Sequence, residues 1–193
     1  AFLRVLAVRR RSNISSHAQE PSLLDIQKKH RFDLRTFDTM NSGVILTELL
    51  RQPTTVILEG AGLADRATIA AVRGRCLNGH PAILPGIRGV DVLQWSLVKG
   101  VPTGVSAHMV VPAVDAGDIL RVERCTPEQG ESFDEFVLRL VELQADNLAS
   151  AAIEFLEGRS HPTRHDLRES ELVSAAPRQI LDRAKHTFDK ATM

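Results

Sequence analysis

Short apolar runs alternate with amphipathic stretches along almost the whole chain. "RVLAV" near the N-terminus, the more charged "FDLRTFD", "TTVILEG", "RCLNGH", "TGVSAHMVV" and "DILRVERC" have the length and residue types of strands. Between them, "PSLLDIQKKH", "GVILTELLRQ", "DRATIAAVRG" and "VDVLQWSLVKG" repeat their apolar positions at helical spacing. The first of these helices is opened by Pro21 and the last is followed by Gly100. A long helix is predicted over 133–157. Phe133, Phe136, Val137, Leu140, Leu148, Ala152, Phe155 and Leu156 fall near one face of it, and Gly158 closes it. Residues 159–176 are polar and read as surface loop, and "PRQILDRAKHTFDKA" reads as a terminal helix. Strand and helix in alternation at these lengths predict an α/β fold: a mostly parallel sheet joined by right-handed crossovers, with helices on both faces. In such folds ligands sit beyond the carboxyl ends of the strands.

Length and composition narrow this further. The 193 residues, 43% of them hydrophobic, suffice for one core. The division expected is a main domain over 1–158 and an extension with a short helix over 159–193. Lys and Arg together number 24 and so do Asp and Glu, so no global field draws in a polyanion or a membrane surface. Cys76 and Cys125 lack metal-ligand spacing and point to a reducing, cytoplasmic setting. No apolar run approaches the roughly 20 residues a spanning helix needs. The opening "AFLRVLAVRRRSNISSHAQ" admits two readings: a buried strand leading into a basic loop, or the Arg- and Ser-rich, acid-free composition of a mitochondrial leader.

Three groups of side chains look chemical. Asn78 and His80 fall at the carboxyl end of "RCLNGH", where Pro81 holds His80 to an extended backbone. Pro81 and Pro85 either fix the loop that leaves His80 or simply end a strand and shape a turn. Ser106 and His108, two apart, share one face of the strand "TGVSAHMVV". In "VDAGDIL", Asp115 precedes an Ala-Gly turn. Taken singly, each has an ordinary structural reading. As a linked set, "LNGHPAILPGIRGVDVLQWSLVKG…TGVSAHMVVPAVDAGDIL" resembles the folate-dependent formyltransferases. Those carry Asn-x-His-Pro followed by a proline-closed loop and Arg-Gly, a Thr-Gly-x-Ser/Thr-x-His strand, and a Leu-Asp-x-Gly turn. The close resemblance covers residues 56–120.

The resemblance implies a Rossmann-like fold of the formyltransferase type and a catalytic trio of Asn78, His80 and Asp115. It also implies transfer of a formyl group from 10-formyltetrahydrofolate to an amine. That reaction develops charge on a carbonyl oxygen, which calls for donors placed beforehand, and it requires the attacking amine to lose a proton. The resemblance places the folate between two loops, with Gly60, Ala61, Gly62 and Leu63 on one side and Val111 and Val114 on the other. Arg88 and Gly89 would shape the entrance, and Ser106 and His108 would support the catalytic groups. No metal is expected: Pro162 breaks the register that would align His161 with His165. Arg9, Arg10 and Arg11 could meet a phosphate or form a solvated edge.

Two departures from the family shape the expected acceptor. Family members usually begin with a strand that has no counterpart before "RVLAV", and the basic barrel domain of methionyl-tRNA formyltransferases is not matched after Gly158. A small amine substrate is therefore expected, either an amino sugar (in nucleotide-linked form or free) or glycinamide ribonucleotide, acted on without nucleic acid or membrane and with a homodimer left open. A methionyl-tRNA formyltransferase without its terminal domain and a non-catalytic module of the same fold are the alternatives.

Overall fold

The computed structural model describes residues 27–29, 31, 39, 41–51, 55–58 and 62–193, together with the backbone of 4–8 and 33–37. Strands β1 (Arg4–Val8) and β2 (Asp33–Phe37) pair in parallel, with Arg4 opposite Asp33 and Val8 opposite Phe37. Most of the helix expected in "PSLLDIQKKH", the alternative leader reading and Arg9 to Arg11 lie outside the described residues. Helix α1 (Gly43–Arg51) follows, then β3 (Val56–Leu58), α2 (Arg66–Ala71) and β4 (Cys76–His80). Next come β5 (Ile87–Gly89), α3 (Val92–Lys99), β6 (Gly104–Met109), β7 (Ile119–Arg124) and the 24-residue α4 (Phe133–Leu156). A 3₁₀ turn (Leu167–Glu169), β8 (Glu171–Val173) and α5 (Arg178–Thr192) complete the chain.

The main sheet has the order β3-β4-β6-β7, parallel between β3 and β4 and antiparallel from β4 onward. A second parallel pair joins β5 to β8. Among the described residues, no strand pairing connects β1–β2 to the four-stranded sheet. The protein thus has the α/β architecture expected from its hydrophobic pattern, with helices on both faces of the sheet. Strands β5 and β8 were not foreseen. Each spans only three residues, one inside a proline-rich loop and the other in a polar stretch, too short for a period to show.

Alternation along β4 divides the two faces. Cys76 turns toward α1 and α2, where Ile45, Leu49, Leu58, Ala71 and Val72 close around it. Its neighbour Leu77 turns the other way and packs with Ala107 against Leu148, Ala151 and Ala152 of α4. A third cluster joins Leu93 and Leu97 of α3, Val105, Phe136 and Leu140 to Ala184 and Phe188 of α5. Phe136 and Phe188 are fully buried with ring centroids 5.2 Å apart. Truncating either ring to Ala would cost about 3–5 kcal/mol. The stretch read as an extension therefore contributes a strand to β5 and a ring to this core.

Local signals start and stop the helices. Ser132 and Glu135 form a reciprocal capping box at the start of α4. Asp65 accepts from the Thr68 N–H at 2.7 Å and opens α2. Cys76 and Cys125 are unpaired and buried, and burial raises the Cys76 thiol to about 12. Among the described residues, no helix is long and apolar enough to cross a membrane.

Candidate active site

The odd–even alternation that sends Leu77 toward α4 sends Asn78 and His80 to the opposite face of the sheet. The antiparallel register then places His108 directly across from Asn78, and Ser106 across from His80. Directly opposed residues lie within side-chain reach, and Asn78 Nδ2 and His108 Nε2 are 3.2 Å apart. A register shift between Ala107 and His108 interrupts the β6–β7 ladder beside the site, a local bend of the kind that re-aims side chains.

Asp115 arrives by a different route. It sits in the turn after β6, in the left-handed region at φ 47°, which only glycine and short polar residues occupy with ease. Its carboxylate lies between the two imidazoles: Oδ2 is 3.5 Å from His80 Nδ1, and Oδ1 is 3.5 Å from His108 Nε2. The Gly89 N–H donates to Oδ2 at 3.0 Å. An amide, two imidazoles and a carboxylate thus converge from three separate segments.

The far nitrogen of each ring faces a carbonyl. His80 Nε2–H donates to the Ile87 carbonyl at 2.9 Å, and His108 Nδ1–H donates to the Met109 carbonyl at 2.8 Å. These acceptors fix the tautomers. Neutral His80 then presents a bare Nδ1 to Asp115, and a proton taken up there would at once find the Asp115 carboxylate as its acceptor. Neutral His108 accepts from Asn78 through Nε2, whereas the protonated ring donates to Asp115. Burial lowers the His80 imidazole below its ordinary value, against the opposing pull of Asp115 and of the Ile87 carbonyl. Burial would raise the Asp115 carboxyl, but the pull of the His108 and His80 rings in their protonated forms, together with the Gly89 N–H, outweighs it and holds the acid below its usual range.

Beside these groups lies a small cleft. It is walled by Leu58, Leu63, Ile69, Val110, Val111 and Pro112, and Asn78, His108 and Asp115 stand at one side of it. Gly62, Ala64, Ala113 and Val114 complete its lining, while Gly60 and Ala61 lie outside the described residues. Leu63 is 72% exposed and Val111 36%, so both stand at the mouth. His80 is 3% exposed and backs Asp115 without lining the cleft, while His108 reaches it. Ser106 is buried, donating to the Ala82 carbonyl at 2.8 Å and accepting from the Leu84 N–H at 3.0 Å, so it ties down the loop that leaves His80. Arg88 does not line the cleft: its guanidinium donates to the Val114 carbonyl at 2.7 Å and to Ser170 Oγ at 2.6 Å.

Sequence reasoning did not reach Ser170, 82 positions from Arg88, or the carbonyls of Ile87 and Met109. Backbone acceptors leave no trace in residue type, and a lone serine in a polar stretch carries none either. Among the described residues, no group of three or more His, Cys, Asp or Glu is arranged to hold a metal ion.

Residues 55–152, about half of the chain, match the profile of the family described as formyl transferase. The chain belongs to the formyl transferase family. Among curated relatives, the methionyl-tRNA formyltransferase of Thermotoga maritima is 32% identical over 136 residues, covering 68% of this chain and 42% of the relative. That of Syntrophus aciditrophicus is 36% identical over 103 residues, covering 53% of this chain and 32% of the relative. The chain therefore spans less than half the length of these formyltransferases. The fold is shared more widely. The formyltransferase PseJ from Anoxybacillus kamchatkensis, solved with UDP-4,6-dideoxy-4-formamido-L-AltNAc and tetrahydrofolate, superposes with a TM-score of 0.67 at 16% identity, covering 89% of this chain and 85% of that one. Phosphoribosylglycinamide formyltransferase from Bacillus halodurans gives 0.63 at 17% identity and 79% of each chain.

Proposed function

We propose that the protein transfers the formyl group of 10-formyltetrahydrofolate to a primary amine. The observation that carries this reading is the meeting of Asn78, His108 and Asp115 at one side of an apolar-walled cleft, with His80 behind Asp115, in a chain of this family. The apolar mouth at Leu63 and Val111 suits a flat heteroaromatic ring, and the polar groups suit a carbonyl carbon under attack. 10-Formyltetrahydrofolate would supply the activated one-carbon unit.

Each residue then has a task that its surroundings support. Asn78 spends one amide hydrogen on His108 and keeps the second for the formyl oxygen as negative charge gathers there. Asp115, held as the anion, accepts the proton released by the attacking amine and passes it to the folate nitrogen as the bond from that nitrogen to the formyl carbon breaks. His80, kept neutral by burial behind Asp115, takes a share of that proton through Nδ1 while Ile87 holds its Nε2–H. His108 orients the Asn78 amide and sees the other carboxylate oxygen.

For the acceptor, two classes have support. The balance of 24 basic and 24 acidic residues favours a small amine, with an amino sugar first and glycinamide ribonucleotide next. Identity to the methionyl-tRNA formyltransferases favours the α-amine of methionine esterified to tRNA. Incubation with 10-formyltetrahydrofolate and a panel of nucleotide-linked amino sugars, glycinamide ribonucleotide and methionyl-tRNA, while following release of tetrahydrofolate, tests both. Release with a single class assigns the acceptor. Folate binding with no release for any amine would reject catalysis in favour of a binding module.

A further inference from the structure

The turn that carries Asp115 is gripped from outside the catalytic strands. On its upstream side, Arg88 Nη1 donates to the Val114 carbonyl at 2.7 Å, and the same guanidinium donates from Nε to Ser170 Oγ at 2.6 Å. At its centre, His165 Nε2–H donates to the Gly117 carbonyl at 3.1 Å. On its downstream side, Ile119 and Thr163 exchange both backbone hydrogen bonds, at 2.9 and 2.8 Å. Ser170, His165 and Thr163 all come from the segment after Gly158.

That segment is seated firmly. Strand β8 pairs with β5 in the register Arg88 to Leu172 and Gly89 to Val173. The Glu171 N–H donates to the Gly86 carbonyl at 2.9 Å, and the Trp95 indole N–H to the Ser174 carbonyl at 3.0 Å. The Ala176 N–H donates to the Asp91 carboxylate at 2.8 Å. Gly89 has φ 113°, and a Cβ there would stand 2.0 Å from the Val173 carbonyl oxygen, so β8 lies hard against the residue whose N–H holds the Asp115 carboxylate.

Arg88, Ser170 and His165 do not line the cleft, and all three end on the backbone of the Asp115 turn or on one another. We propose that they are positioning residues for formyl transfer: the C-terminal segment, acting through Arg88 from one side and His165 from the other, sets where the Asp115 carboxylate stands between the two imidazoles. Such a brace matters because Asp115 lies in the turn between β6 and β7, where the ladder that joins those strands does not reach it. This inference rests on the formyl-transfer reading for its kinetic consequence and on geometry alone for its structural one.

The test uses the full chain and two readouts. Without any ligand, ¹H–¹⁵N spectra of the imidazole nitrogens should show the His80 and His108 signals displaced in Ser170→Ala and in His165→Phe. That of His186, on α5, should be unmoved. Ser170→Thr, which keeps the hydroxyl, should restore the wild-type spectrum. With whichever acceptor the panel assigns, Ser170→Ala should lower kcat roughly tenfold, the scale of a modest misplacement of a reacting group. KM for 10-formyltetrahydrofolate and the thermal midpoint should stay near their wild-type values, and Ser170→Thr should again recover turnover. Unmoved His80 and His108 signals in both variants, or a loss of kcat that tracks loss of stability and is not rescued by Thr, would overturn the proposal. Asp115→Asn run in parallel separates the two levels. If Asp115→Asn is inactive while Ser170→Ala is unchanged, positioning fails and formyl transfer stands. If Asp115→Asn retains full turnover, the role given to Asp115 fails first.

Discussion

Strand β4 and the turn at Asp115 deliver functional groups to the same cleft by opposite means. On β4, Asn78 and His80 need nothing special: alternate positions of a buried strand, held by ladders to β3 and β6, put both on one face. The turn has no ladder. Its aspartate sits at φ 47°, and its position depends on Gly89, Arg88, His165 and Thr163, drawn from two other parts of the chain. A regular element places a side chain by periodicity alone, whereas a turn beyond the ladder has to be held from outside.

Substitutions should expose that difference, and the largest effect is expected where both regions touch the chemistry. Asn78→Ala from the strand and Asp115→Asn from the turn should each lower kcat roughly a hundredfold or more, with circular dichroism and thermal midpoint little changed. Near-normal turnover in either folded variant would remove that residue from the reaction. Next comes Gly117→Ala. A Cβ there would stand 1.8 Å from the Met109 carbonyl oxygen, a backbone atom with no freedom to retreat, so the turn must shift. Turnover should fall roughly tenfold to a hundredfold. NMR signals of the β4 amides should hold still; if they move as much as those of the turn, the two regions are not independent.

A smaller effect is expected from pH. The unfolded His80 takes a proton near its ordinary value of about 6.5, and the buried ring only at lower pH. In between, the unfolded chain binds more protons, so the contribution of His80 is fully present at neutral pH and is lost as pH falls through that window. Asp115 is held below its ordinary value, so its contribution is present above about 4 and is lost only at more acid pH. Urea midpoints measured between about pH 7.5 and 5 should decline, and His80→Gln should flatten the decline. An unchanged slope in that variant would mean that the ring is not held neutral by burial. The smallest effect is expected at the cleft mouth. Leu63→Ala removes a wall that is already largely in solvent, so it should raise KM for 10-formyltetrahydrofolate only a few-fold and leave kcat alone.

The same division explains what could be read in advance. Apart from β5, the strands and helices from β3 to α4 follow from apolar spacing, and the groups on β4 and β6 come with them. Asp115 was visible because Ala-Gly follows it in a turn. Its supports were not. Gly89 acts through a backbone N–H, Ile87 and Met109 act through carbonyls, and Ser170 meets Arg88 only because two three-residue strands pair across more than eighty positions. His108, expected as a support, faces the cleft because the antiparallel register sets it across from Asn78. That register is a property of pairing that no single strand displays.

Gly89 and Gly117 make the shape of the site readable in a sequence. Any amino-acid change at a glycine codon adds a side chain, and at these two places the added carbon would collide with the main chain of a neighbouring segment. The collision is with backbone, so a lineage that keeps this fold would keep both positions bare whatever its cleft came to hold. Two letters would therefore tell, before any protein is made, whether a related sequence can close the Asp115 turn in this way.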